Sequence, residues 1–174
     1  MLNSPRFYGH QTLSVTGAGV YDTSNVEINN PIIEGWKFTN AGIDWQSMSS
    51  TSTGADIKKP HFECANPCTA IKLRSSTMTH VITAPNFIKP GIYIAVDGAG
   101  YPQVNVRDVT NQRIYFDGTT KIFKHFAGTS WKFTNCDNPI NATDLPKMFD
   151  GAVSQGCGVG AGANKWCIEN PPNR

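Results

Sequence analysis

The sequence predicts an all-β fold made of short coils stacked on one another. Three observations predict it: a composition that favours turns over helices, an apolar anchor recurring about every 24 residues, and period-two alternation beside those anchors. The chain has 174 residues, with 39% hydrophobic and only 16% charged. That is one domain's worth of sequence with enough apolar content to bury a core. Gly 16 and Pro 11 break helices and feed sharp bends. A formal net charge of +2 gives no basic surplus, so no nucleic-acid partner is expected. No apolar run approaches the roughly 20 residues of a membrane helix, so no membrane insertion is expected. The opening MLNSPRFYGHQ lacks the apolar stretch of a signal peptide, which points to synthesis in a reducing cytosol.

The repeat is found through the string WKFTN, which occurs at Trp36–Asn40 and again at Trp131–Asn135. Dividing the interval into four steps places anchors at Phe38, Phe62, Phe87, Val109 and Phe133, in steps of 24, 25, 22 and 24 residues. Five residues before the anchors stand Ile33, Ile57, Ile82 and Val104, with Gly128 the exception. Five after stand Ile43, Ile92 and Ile114; seven after stand Trp45, Ile94, Phe116 and Ile140. In the second step Ile71 and Leu73 take these places if the Cys64–Cys68 segment carries a four-residue insertion. Pairs such as Ile43/Trp45 and Ile92/Ile94 alternate as strands with one buried face do. A unit of this size closes no core alone, but stacked units share one. Asn40, Asn111 and Asn135 recur two residues after an anchor, where a left-handed bend suits Asn.

Coils of 22–25 residues, inward aliphatic and aromatic columns and Asn at a recurring bend resemble the right-handed parallel β-helix of pectate-lyase-like proteins and phage tailspikes. The resemblance covers residues 26–142, as about five coils. Residues 1–25 are expected to form an N-terminal cap or arm, with one weak coil at Val15 and Val20. Residues 143–174, rich in Gly and Pro, are expected to form a C-terminal cap or an arm reaching a neighbouring subunit. The alternative fold is a jelly-roll β-sandwich, which also has many short strands and Gly/Pro turns.

Outward neighbours of the anchors are Lys37, His61, Asn86, Asp108 and Lys132 on one side, and Thr39, Glu63, Ile88, Thr110 and Thr134 on the other. They define an expected polar strip, which is a solvated sheet face unless it binds a ligand. On that strip Glu63 and Asp108 lie two coils apart, about 10 Å, near the spacing of an inverting glycosidase pair. They are the candidate catalytic residues. Trp36, Lys37, His61, Trp131 and Lys132 are the candidate glycan contacts, although burial of both tryptophans beside Phe38 and Phe133 is the simpler expectation. The string HFECANPC brings His61, Cys64 and Cys68 together, but a structural zinc site wants four ligands, so no metal and no cofactor is expected. Five cysteines leave at least one unpaired; Cys64 with Cys68 and Cys157 with Cys167 are the candidate disulfides, with free thiols equally open.

The resemblance implies a non-enzymatic virion surface protein of a bacteriophage, as a tail spike or fibre or as a capsid decoration. Such a protein is expected to be a homotrimer, to contact other virion proteins and to bind host polysaccharide. It would be made in the host cytoplasm and exposed outside after release. The alternatives are a phage polysaccharide depolymerase, hydrolase or lyase, and a jelly-roll carbohydrate-binding module.

Overall fold

A computed structural model describes residues 2–3, 6–8, 13–17, 27–29, 32–35, 41–47, 56–64, 69–74, 79–88, 91–96, 101–111, 113–125, 128–158 and 162–172. Side chains are described from residue 56 onward, those of Glu63, Cys64 and Arg74 excepted. Among the described residues every strand pairing is parallel and the strands form three sheets, so the chain is a parallel β-helix. The jelly-roll alternative, which is antiparallel, does not hold.

The first sheet runs Leu2–Asn3, Glu27–Asn29, Asp56–Lys58, Thr79–Thr83, Gln103–Arg107, Ser130–Thr134, Lys165–Glu169 and Ser154–Gln155. The second runs Arg6–Tyr8, Ile32–Gly35, His61–Cys64 and Asn86–Ile88, and then stops. The third runs Leu13–Gly17, Ala41–Ser47, Thr69–Arg74, Ile92–Val96, Phe123–Lys124 and Phe149–Asp150. The stack thus extends beyond residues 26–142 at both ends. The strands Leu2–Asn3, Arg6–Tyr8 and Leu13–Gly17 pair in register with the next coil, and Lys165–Glu169 lies in register on Ser130–Thr134.

Register explains the core. Ile28, Ile57, Ile82, Val106, Phe133 and Ile168 occupy one column of the first sheet. Ile43, Ile71, Ile94, Phe123 and Phe149 occupy one column of the third. Phe7, which shares its register position with Ile33, heads a column through Phe62 to Phe87 in the second. From residue 57 on, the members of these columns are buried, except Ile168, which is partly so.

The anchor file predicted from WKFTN is corrected by this register. Phe62 and Phe87 do stack, but Phe133 belongs to the first sheet and Val109 to the bend that follows it. Phe38 lies outside the described residues. Gly35 closes a strand of the second sheet, and Trp131 to Thr134 of the second WKFTN lie in the first sheet, while the first WKFTN lies outside the described residues. The true bend column is Lys59, Ala84, Asp108 and Asn135, all with positive φ (50, 51, 56 and 57°). Each donates its backbone N–H to the next coil, at 2.7 to 3.0 Å. In the sequence a proline directly precedes every strand of the second sheet: Pro5, Pro31, Pro60 and Pro85. Proline suits a strand's first residue because no N–H is left unpaired there.

Candidate binding cleft

Among the described residues the second sheet ends at Asn86–Ile88, while the first and third sheets continue. In the later coils, loops replace its strands, and between them lies an open cleft of about 680 Å³. That is within the roughly 300–1,000 Å³ typical of ligand clefts. Cys136 and Ile140, both buried, and Ile168, partly buried, supply its apolar surface. Asn111, Asp137, Asn138, Asn141 and Asn170 supply its polar surface.

The local sequence builds this cleft rigidly. Asn135 ends the strand in a left-handed bend, and its Nδ2 donates to Asp108 Oδ1 at 2.5 Å. Asn170 clamps Cys136: its Oδ1 accepts the Cys136 N–H at 3.0 Å and its Nδ2 donates to the Cys136 carbonyl at 3.3 Å. Asn138–Pro139 is a cis peptide. Asn141 Oδ1 accepts the N–H groups of Thr143 and Asp144 at 2.9 and 2.8 Å, an Asx turn that leads into the 3-10 turn Leu145–Met148. The Asn141 amide and the Lys147 ammonium also hold the Asp144 carboxyl below its ordinary pKa. A second hollow of about 220 Å³, lined by Ile114, Tyr115, Phe116, Asn138 and Pro139, shares Asn138 with the cleft. Tyr115 is 66% exposed there. Its backbone is fixed from below, because Tyr93 Oη donates to the Tyr115 carbonyl at 2.8 Å. Burial pushes the Tyr93 phenol up to about 12, so it remains a donor.

Chemically, the surface offers the amides of Asn111 and Asn138, groups that can both donate and accept, beside an aromatic shelf, while Asn141 and Asn170 serve as its frame. Asp137 is its one charged residue among the described lining.

The sequence-predicted candidates are placed elsewhere. Lys132 projects from the first sheet and ion-pairs with Glu169 at 2.7 Å. His61 and Asn86 are neighbours in the second sheet, with 2.9 Å between His61 Nδ1 and Asn86 Nδ2. Asp108 sits in the bend column, and Glu63 lies four positions past that column on its own coil. The two candidate catalytic residues are therefore separated by two coils and also by four positions around the coil, so they are not a facing pair on one strip. Trp131 is 1% exposed within the aromatic core, and so it cannot stack on a sugar. Of the two outcomes left open for Cys157 and Cys167, disulfide or free thiols, the structure has them joined as a disulfide. Trp36, Lys37 and Cys68 lie outside the described residues, as does the side chain of Cys64. Sequence reading missed the cleft because it arises where a sheet stops; the loss of the Pro-led strand after Asn86–Ile88 is the signal that marks it.

Comparison with known proteins finds no matching family model, no matching curated protein and no matching solved structure.

Proposed function

We propose that the chain is a non-enzymatic glycan-binding β-helix displayed on a virion surface, with the cleft beside the broken second sheet as its binding site. The observation that carries this reading is exposed Tyr115 beside the amides of Asn111 and Asn138, in a cleft whose frame Asn141 and Asn170 hold through their own hydrogen bonds. Sugar hydroxyls donate and accept at once, as amides do, and the apolar face of a pyranose packs on an aromatic ring. An open cleft on a rigid stack admits a chain rather than a single small molecule. The virion setting, the homotrimer and contacts with other virion proteins rest on the sequence resemblance to phage tailspikes.

Titration calorimetry with oligosaccharides from bacterial surface polysaccharides tests the binding. Tyr115→Ala and Asn138→Ala are expected to weaken a bound oligosaccharide by about tenfold or more each, that is about 1.4 kcal/mol or more. Retained affinity in both variants, or no binding across the panel, overturns the reading. Immunogold labelling of phage particles tests the location, and sedimentation equilibrium tests the trimer.

A further inference from the structure

A second cluster lies on the outer face of the first sheet, remote in sequence from most of the cleft. Cys167 and Glu169 are two apart on the strand Lys165–Glu169 and so share a face. Cys157 reaches Cys167 from the Gly-rich segment before that strand, with 5.1 Å between Cα atoms, and the two are joined as a disulfide. The Cys157 and Cys167 sulfurs and a Glu169 carboxylate oxygen all lie within 4.8 Å of one another. The segment is also held by contacts that do not need the disulfide. Ser130 Oγ donates to the Gly158 carbonyl at 2.8 Å, the Gly156 N–H to the Trp166 carbonyl at 2.8 Å, and the Lys165 N–H to the Thr129 carbonyl at 3.0 Å.

We propose that reduction turns this clasp into a binding site for a thiophilic divalent cation such as zinc, held by Cys157, Cys167 and Glu169, with water as the fourth ligand. A dithiol reductant supplies two electrons and two protons to the S–S bond and closes into its own disulfide. Two thiols result, and each releases its proton to solvent as it meets the ion. Zinc–sulfur and zinc–oxygen bonds of about 2.3 and 2.0–2.2 Å place tetrahedral ligands roughly 3.5–3.8 Å apart. Reduction frees the two sulfurs to part from bonding distance, and a Glu169 carboxylate oxygen already lies within 4.8 Å of both. Two thiolates select soft or borderline ions over calcium and magnesium. The ion competes with Lys132, whose Nζ is 2.7 Å from Glu169 Oε2. Both of these side chains are partly exposed (32% and 50%), so the ammonium can turn into water.

The test is cobalt(II) added to the full chain, with and without dithiol reduction, followed by absorption spectroscopy. Only the reduced protein should show thiolate-to-cobalt charge transfer, with one ion bound per chain and displaced by zinc. Cys157→Ser/Cys167→Ser should abolish the signal, Glu169→Gln should weaken affinity about tenfold, and Lys132→Met should tighten it. Cys64→Ser/Cys68→Ser should leave it intact. A reduced protein without the band, a band that survives Cys157→Ser/Cys167→Ser, or loss of the near-ultraviolet aromatic signal on reduction each overturns the proposal.

Discussion

Phe87 lies on Phe62 of the preceding coil, with ring centroids 5.4 Å apart and 12° between planes, and Tyr93 stacks on the other side of Phe87 at 4.6 Å and 8°. Phe62 and Phe87 are also register partners, so the ring stack repeats the backbone ladder in side chains. Phe87→Ala removes the middle ring. The expected loss is about 3–5 kcal/mol of stability from the lost transfer energy and the cavity left behind. Urea unfolding measures it, and a loss below about 1 kcal/mol would show that the ring stack does not stabilise the coil.

That same pair shows how much of the fold the sequence disclosed. Period-two alternation was legible, because a slip of two residues along a strand keeps the same face inward. The expected partner of Ile43 and Ile71 was Ile92; the actual one is Ile94, two residues on. Absolute register was not legible, because coil length is not constant. Steps along the first sheet are 25 residues from Ile57 to Ile82 and 27 from Val106 to Phe133, but 35 from Phe133 to Ile168. Extra residues enter at different bends, so an equal-step reading moved Val109 and Phe133 into a file where neither belongs. The cleft was less legible still, since it is made by loops whose positions no periodicity fixes.

His80 predicts a loss of stability in mild acid. It is fully buried in the first sheet, and burial lowers its pKa to about 4 from the ordinary 6.5. Above about pH 6.5 it is neutral in both states, and its contribution is complete. As pH falls below that value the unfolded chain takes up a proton that the folded chain refuses until about pH 4. Across this window stability should fall by roughly 3 kcal/mol. Desolvation also holds His125 below its ordinary pKa, against the pull of Asp150, and adds in the same sense. Urea midpoints at pH 7.5 and 4.5 measure the slope. His80→Leu should flatten it, and equal slopes in the two proteins would count against this account.

The bend column predicts opposite effects at two equivalent positions. Ala84 has φ 51° and no side-chain group to bond locally, whereas Asn135 has φ 57° and donates to Asp108. A left-handed backbone costs an ordinary residue about 1–2 kcal/mol, while glycine adopts it freely but carries an entropy cost of about 0.5–1 kcal/mol. Ala84→Gly should therefore stabilise by up to about 1 kcal/mol. Asn135→Ala should destabilise by about 1–2 kcal/mol through strain and the lost hydrogen bond. Paired melting curves check both, and shifts of the same sign would refute the column as a common conformational constraint.

Gly128 and Tyr101 give the sharpest steric prediction. Gly128 has φ 82°, and a Cβ there would overlap Cδ1 and Cε1 of the Tyr101 ring. The ring is 43% exposed, so it is packed on the glycine from one side and open to water on the other. Gly128→Ala therefore combines backbone strain with ring overlap, and a loss of about 2–3 kcal/mol is expected. Removing the ring relieves only the second part. In the Tyr101→Ala background the same glycine substitution should cost about 1–2 kcal/mol, the strain alone. The difference between the two costs, read from a double-mutant cycle in urea, isolates the contact. A coupling of zero would mean that Tyr101 swings away at no cost and that only φ makes glycine necessary at residue 128.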